Sequence, residues 1–519
     1  MPIGYKRIIR QRRNGKNLDS EMPTLKNGRT KMKKKQTHKI SKYLHGTFAE
    51  YFGATIYDGI WVGKDSPIPN INGIRCDVVE GVRECGLTAF RWPGGCCAEK
   101  YHWTDGIGKD RMPRMHYYTE DSNNGIWDMS FGTDECIEFC RLCGMEPMLV
   151  ANVSTGTAEE FRSWFEYCNA PSFTKYGAMR AANGHPEPYN VRIWGIGNTD
   201  ENSWRAAYNA GIYAADYTRF VAALDQCWLA DTTVVGLGLS IRHNCPKWPC
   251  EVMDLVTHNG EFVGPNMLSV HHYLGSMKDR KCGDAVNYTD EEYDYLLDSL
   301  VQYEKDIEFH RRLVKDHACP ARETYLAMDE WGTWHSEATE QTGQRQRQTV
   351  RDAIFAAMAM HIFYRNSDFV KMAMQTQLTN LLQSLFETEG EKFFKTATFW
   401  VMKLYREHLE QCVAEDVFYT DDSCVDAVAS VSEDGNRVVL TAVNRNLYGS
   451  ASLTLSEELR DMKCVMADMI YHDDVRAYNT FEEPDRIKAE QFGGLDFPNV
   501  ALPPHCVVRL VFESNGKLM

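Results

Sequence analysis

Residues 73–97 read GIRCDVVEGVRECGLTAFRWPGGCC. In the first half Ile74, Val78, Val79 and Val82 recur at helical spacing and share one face. Gly86 closes that pattern. A short apolar run follows at 87–92 (LTAFRW), and Pro93-Gly94-Gly95 stops it. The stretch therefore reads as an amphipathic helix, a short buried strand and a glycine-rich loop.

The same phrase recurs along the chain. DECIEFCRLCG (134–144) precedes EPMLVANV (146–153), and AEEFRSWFEYCN (158–169) precedes VRIWGIGN (191–198). MLSVHHY (267–273) and TYLAMDEW (324–331) each follow a long helical pattern. Helix–strand alternation means a parallel sheet whose strands are buried on both faces. More than four such units in one stretch favour a closed (β/α)8 TIM barrel over an open sheet. Near residue 410 the pattern changes. ASVSEDGNRVVLTAVNRN (429–446) alternates apolar and polar residues about Asp434-Gly435, a hairpin signal. FPNVALPPHCVVRLVF (497–512) is a further β stretch, interrupted by Pro503-Pro504. The expected organisation is a basic, solvated leader at 1–37, an α/β barrel at 38–408 and a jelly-roll-like β-sandwich at 409–519. The first strand of the barrel region is a candidate to join the sandwich.

The chain has 519 residues and a net charge of −15, which argues against general nucleic-acid binding. The charge is uneven: the first 36 residues hold twelve Lys/Arg against two acidic residues, so the rest carries about −25. The leader has no apolar core of a secretory signal, and nothing resembles a run of about 20 apolar residues that would span a membrane. Seventeen cysteines without a regular framework fit a reducing compartment. Cys136, Cys140 and Cys143 fall on one helix face as small core residues, with no second pair of ligands for zinc.

In a barrel of this kind the residues just past each strand face the active site. Those positions carry PGGCCAEKYHW, STGT, TDEN, His271-His272-Tyr273, Asp329-Glu330-Trp331 and the amides Gln375, Gln377 and Asn380. Tyr101, His102 and Trp103 are candidates to line a sugar pocket. The set is rich in carboxylates, amides and rings and poor in Lys and Arg, which suits a neutral polyhydroxylated ligand. Two carboxylates on separate strands give what glycoside hydrolysis needs. A gap of about 5 Å implies retention of configuration, and about 6.5–9.5 Å implies inversion.

At these residues the chain resembles the α-L-arabinofuranosidases of glycoside hydrolase family 51. The resemblance runs from about residue 39 to the C-terminus. It rests on HGTFAEYFGATIYDGIWVG, FRWPGGCCAEKYHWTDGIG, NGHPEPYNVRIWGIGN, LSVHHY, MDEWGTWH, KMAMQTQLTNLLQ and LPPHCVVRL, in order. It implies a barrel plus a β-sandwich, and retaining, exo-acting release of terminal α-L-arabinofuranosyl groups from arabinan or arabinoxylan oligosaccharides. It also implies no metal or cofactor, a cytoplasmic setting and a homo-oligomer, often a hexamer. Residue by residue, Glu330 matches the nucleophile. Glu50, Cys96, Asn198, His271, Tyr273 and Gln377 match sugar-contacting positions, and Trp103 matches a wall of the site.

One position departs from the pattern. The family's acid/base glutamate directly follows the asparagine, and here that place is Thr199. A threonine hydroxyl is no proton donor of carboxylic-acid strength. Glu201 is the leading replacement, displaced by a two-residue insertion, and Asp200 is the second. If neither serves, the chain is a catalytically weakened relative that binds arabino-oligosaccharides. A third reading is an endo-β-glucanase on the same scaffold.

Overall fold

The computed structural model describes residues 38–115, 126–198, 209–224, 228, 230–240, 247–257, 264–317 and 323–514. Thr199, Asp200 and Glu201 lie outside the described residues, as does the basic leader.

Eight parallel strands close a barrel: β1 (Gly46–Phe48), β2 (Ala89–Trp92), β3 (Glu146–Ala151), β4 (Ile193–Ile196), β5 (Thr233–Ser240), β6 (Met267–Leu274), β7 (Tyr325–Thr333) and β8 (Val370–Gln375). β1 closes the ring, with Gly46 opposite Ala89 of β2 on one side and Met374 of β8 on the other. The helices that alternate with the strands include α1 (Cys76–Cys85), α2 (Thr133–Cys143), α3 (Ala158–Asn169), α4 (Lys175–Ala182), α5 (Ala210–Ala222), α6 (Lys247–Thr257), α7 (Asp290–Asp298), α8 (Val301–Asp316), α9 (Val350–Arg365) and α10 (Ala397–Tyr405). Phe48, Met148, Val150, Ile193, Met372 and Met374 fill the barrel interior. That makes the barrel a packed core rather than a pore.

The opening stretch folds largely as its pattern dictates. Val78, Val79 and Val82 are the buried face of α1. Ile74 is buried too but precedes the helix: it pairs with Ile71 in a two-residue ribbon, because Arg75 takes an extended conformation and starts α1 at Cys76. Cys136, Cys140 and Cys143 are buried on α2.

Ten antiparallel strands follow: β9 (Cys412–Ala414), β10 (Phe418–Tyr419), β11 (Val425–Val431), β12 (Arg437–Asn444), β13 (Ala451–Leu455), β14 (Met462–Ile470), β15 (Ala489–Gln491), β16 (Leu495–Asp496), β17 (Asn499–Leu502) and β18 (Cys506–Ser514). They form sheets of order β9-β11-β12-β18-β14-β15 and β10-β13-β17-β16. Alternate residues of both sheets, among them Leu440, Leu453, Val500, Leu510 and Phe512, share one core. Pro503-Pro504 sits between β17 and β18, where no ladder bond is lost. The chain ahead of the barrel also reaches this region: Ile40 N–H donates to Gln411 O at 2.8 Å and Val413 N–H to His38 O at 3.0 Å.

The barrel and the sheets meet through buried polar groups as well as apolar ones. His361 on α9 places Nδ1 3.0 Å from Asp426 of β11 and Nε2 2.9 Å from both Thr441 Oγ1 and Tyr405 OH. His408 joins Thr441 at 2.9 Å and Ser430 at 2.7 Å. His45 Nε2 meets Tyr364 OH at 3.0 Å. Among the described residues no helix is long and apolar enough to cross a membrane.

Candidate active site

The site is built at the C-terminal ends of the barrel strands, around an arginine inside an apolar strand. Arg91 of β2 is 1% exposed. Its Nη1 donates to Glu330 Oε1 at 2.7 Å, its Nη2 donates to Asn198 Oδ1, and its Nε lies 3.5 Å from Asp329 Oδ2. Burial works against the guanidinium charge, but Asp329 and Glu330 more than offset it.

Adjacent residues of a regular strand point to opposite faces. Asp329 and Glu330 nevertheless both reach Arg91. The reason lies in β7, which carries one extra residue at this point. Ser269 pairs with Ala327 but His271 with Glu330, and Met328 pairs with Ala373 but Trp331 with Gln375. A bulge of this kind re-aims side chains beside active sites. Asp329 accepts from Ser269 Oγ at 2.6 Å. Burial pushes its carboxyl up, but His271, Arg91 and Ser269 together hold it below the ordinary carboxylate range.

Glu330 has further neighbours. Tyr273 OH donates to its Oε2 at 2.7 Å, and His271 Nδ1 is 3.4 Å from its Oε1. Burial and the Glu330 charge push the Tyr273 phenol well up, so it stays a donor.

Opposite stands Glu50, just past β1. Its Oε2 accepts from Cys97 N–H at 3.2 Å, and its Oε1 accepts from the Gln377 amide at 2.8 Å. Burial first and the Glu330 charge second raise its pKa, while Cys97 N–H and Gln377 pull it down. Between the two carboxylates runs the Gly94-Gly95 backbone. A Cβ on Gly95 would lie 3.1 Å from Glu330 Oε1 and 3.1 Å from Glu50 Oε2. A Cβ on Gly94 would overlap Glu50 Cβ at 2.2 Å. Only glycine lets the backbone pass this close to both acids.

A short 3₁₀ helix, Cys96–Glu99, continues from these glycines. Cys96 starts it, partly exposed, and Cys97 is buried. Asn198, at the end of β4, is buried and donates its N–H to Glu99 Oε1 at 2.8 Å. The structure thus links Asn198, Tyr273 and Glu330 through Arg91 and direct hydrogen bonds, sets His271 3.4 Å from Glu330, and joins Gln377 to Glu50 on the facing side.

Trp103 stands apart from this set. Its ring is buried, its indole donates to Ser163 Oγ on α3 at 3.2 Å, and it packs against Tyr167 and Tyr176. Its hydrogen-bond and ring partners lie on α3 and α4. Tyr101 is likewise buried, stacked on Tyr51 and edge-on to Trp92. His102 turns to Glu160 at 2.9 Å. Gln375 bonds Thr376 O and Gln383 O, and Asn380 bonds Ala54 O, so of the three amides Gln377 alone makes a hydrogen bond to a site carboxylate.

Two regions of the chain match known domain families. The description "Alpha-L-arabinofuranosidase 1 domain" matches residues 82–274, and "Alpha-L-arabinofuranosidase C-terminal domain" matches residues 329–505. An intracellular exo-α-L-arabinofuranosidase of Bacteroides ovatus is 29% identical over 492 residues, 91% of this chain and 93% of the relative. The crystal structure of the family 51 arabinofuranosidase from Xanthomonas axonopodis pv. citri superposes with a TM-score of 0.83 at 27% identity, covering 92% of this chain and 97% of that one. The chain belongs to the α-L-arabinofuranosidases of glycoside hydrolase family 51. The arabinose complex of the Thermotoga maritima α-L-arabinofuranosidase is also similar, with a TM-score of 0.79 at 26% identity over 92% of this chain and 98% of that one.

This family 51 hydrolase carries site residues that its sequence did not single out. Arg91 had a signal, because a charge inside a strand buried on both faces needs a partner. Asp329 was visible only as the neighbour of Glu330. Glu99 sat in a polar loop with nothing to separate it from Lys100. Among the described residues of the hydrolase, no three His, Cys, Asp or Glu side chains converge as a metal site requires.

Proposed function

We propose that the chain is a retaining, exo-acting α-L-arabinofuranosidase, with Glu330 as nucleophile and Glu201 as acid/base. The observation that carries this reading is the setting of Glu330. One oxygen is held by Arg91 and the other by Tyr273, in a buried site that faces Glu50 across the Gly94-Gly95 backbone. A carboxylate fixed at both oxygens is aimed at one point, which is what attack on an anomeric carbon requires.

In the first step Glu330 attacks that carbon while the bond to the leaving oxygen breaks. Glu201 gives its proton to that oxygen. In the second step Glu201 takes a proton from water, the water attacks the same carbon and Glu330 is released. Glu50, Gln377 and Cys96 are assigned to the sugar hydroxyls on one side, and Asn198, His271 and Tyr273 to the other. The Asn198 oxygen is taken by Arg91, so its amide N–H groups are the ones left to offer a hydroxyl. Arg91, paired with Glu330 and Asp329, brings no spare charge, which is consistent with a neutral sugar. Arabinose-containing oligosaccharides inside the cell are the substrate class, in keeping with the Bacteroides ovatus relative's name. Assembly as a homo-oligomer is part of the same proposal.

Thr199 favours a second reading, a weakened relative that binds such oligosaccharides with little turnover. An aryl arabinofuranoside with a good leaving group, compared with an arabino-oligosaccharide, separates the two. Under the leading reading wild type cleaves both, and Glu330→Gln cleaves neither. Glu201→Ala still forms the glycosyl-enzyme from the aryl substrate, though it releases it slowly for want of the second-step base, and loses about 10²–10⁴-fold on the oligosaccharide. A wild type that is slow on the oligosaccharide and unaffected by Glu201→Ala supports the weakened relative.

A further inference from the structure

Glu99 is 1% exposed, and both of its carboxylate oxygens accept from backbone N–H groups at strand ends. Oε1 accepts from Asn198 N–H at 2.8 Å, just past β4. Oε2 accepts from Ser154 N–H at 3.1 Å, just past β3. At the end of a parallel strand the ladder stops and these donors need another partner. A water could serve each of them separately, but one buried carboxylate joins the two.

The tether is also tied to the other side of the site. Glu99 ends the same 3₁₀ helix whose Cys97 N–H holds Glu50. Thr155 Oγ1 donates to the backbone oxygen of Glu99 at 3.2 Å, and Asn152 bonds Thr155 at 2.8 Å. One turn of chain therefore fixes Glu50, the end of β3 and the end of β4 relative to each other. Asn198 is the last described residue before the segment holding Asp200 and Glu201.

We propose that Glu99 is a positioning residue for the acid/base side of the reaction: by clamping Asn198 N–H and Ser154 N–H on one carboxylate, it sets the point from which the 199–201 segment departs. The inference rests on the arabinofuranosidase reading above. It does not make Glu99 catalytic: the role assigned to it is to hold backbone donors. The chemistry demands a carboxylate. Glutamine has one acceptor for two donors, and its N–H₂ would face an N–H.

The test uses the full chain and a series of aryl α-L-arabinofuranosides graded in leaving-group acidity, with hydrogen–deuterium exchange of the peptides covering Ser154 and Asn198. Glu99→Gln is expected to lose about 10²-fold in kcat/KM on the poorest leaving group. On the best leaving group it should stay within about threefold of wild type, because little proton donation is needed there. Both peptides should exchange faster. Glu99→Asp keeps two acceptors on a shorter stem, and is expected to fall between wild type and Glu99→Gln. An equal loss across the whole series would overturn the inference, because a general structural defect does that. So would unchanged exchange in both peptides. If wild type releases arabinose from no substrate in the series, the arabinofuranosidase reading fails, and the exchange data alone then decide whether Glu99 joins the strand ends.

Discussion

Arg91 Nη1 lies 2.7 Å from Glu330 Oε1, with the two side chains 1% and 9% exposed. A buried ion pair gains little over an apolar pair, but breaking one leaves an uncompensated charge. Arg91 also bonds Asn198 and faces Asp329, so its loss strands two carboxylates. Arg91→Met is expected to destabilise the fold by about 3–5 kcal/mol, read from denaturant unfolding. Arg91→Lys keeps the charge but cannot fork to three partners. We expect it to fold and to lose about 10²-fold in kcat through misplacement of Glu330. Near wild-type turnover in Arg91→Lys would mean that Glu330 is held chiefly by Tyr273 and His271.

Gly95 makes a different prediction. Nothing in the sign of its φ, −89°, calls for glycine. The added methyl group would instead stand 3.1 Å from both Glu330 and Glu50, in the space between them. Gly95→Ala should therefore lose about 10²-fold in kcat/KM. A variant with lowered stability and intact activity would show that the space between the carboxylates is not where the substrate sits.

The parts of the molecule that the sequence made legible share one physical feature: they depend on local pattern. The α1 face, the short barrel strands and the Asp434-Gly435 hairpin follow from spacing and turn chemistry. Glu330 was legible because it lies toward the C-terminal end of a barrel strand. What was hidden depends on register. Nothing in YLAMDEW announces that β7 gains a residue against both neighbours, yet that bulge brings Asp329 round to Arg91. Trp103 was expected at the pocket wall because it stands in a loop rich in polar and aromatic residues. A ring there can face the pocket or the helices behind it, and only the α3 and α4 partners decide.

Trp103 supplies its own check. Its indole donates to Ser163 and its ring packs against Tyr167 and Tyr176, so a packing role is expected. Trp103→Phe removes one buried hydrogen bond and should cost about 1 kcal/mol of stability. KM for an aryl arabinofuranoside should stay within about twofold of wild type. A large rise in KM at unchanged stability would restore this ring to the pocket wall.

The last prediction concerns acid. His45, His361 and His408 are fully buried where the barrel meets the β-sheets. Burial lowers all three pKa values, assisted by Arg406 at His45, by Arg365 at His361 and by His361, His45 and Arg509 at His408. Asp426 acts the other way at His361. His45 falls to about 3 from an ordinary value of 6.5. The folded imidazoles are thus neutral where those of the unfolded chain are charged, so unfolding takes up protons. Stability is whole above about pH 6.5 and drains away as pH falls through that value, down to about 3 for His45. Each such group removes about 1.4 kcal/mol per pH unit in that window. Asp426, which His361 and Arg365 hold below the ordinary range against burial, adds its own loss only at lower pH. The melting temperature should therefore decline steadily from pH 7 to pH 5, before most carboxylates titrate. His408→Gln keeps a hydrogen-bonding side chain with no proton to gain, and should flatten the decline. A melting temperature constant over that interval in wild type would show that these imidazoles do not resist protonation in the fold.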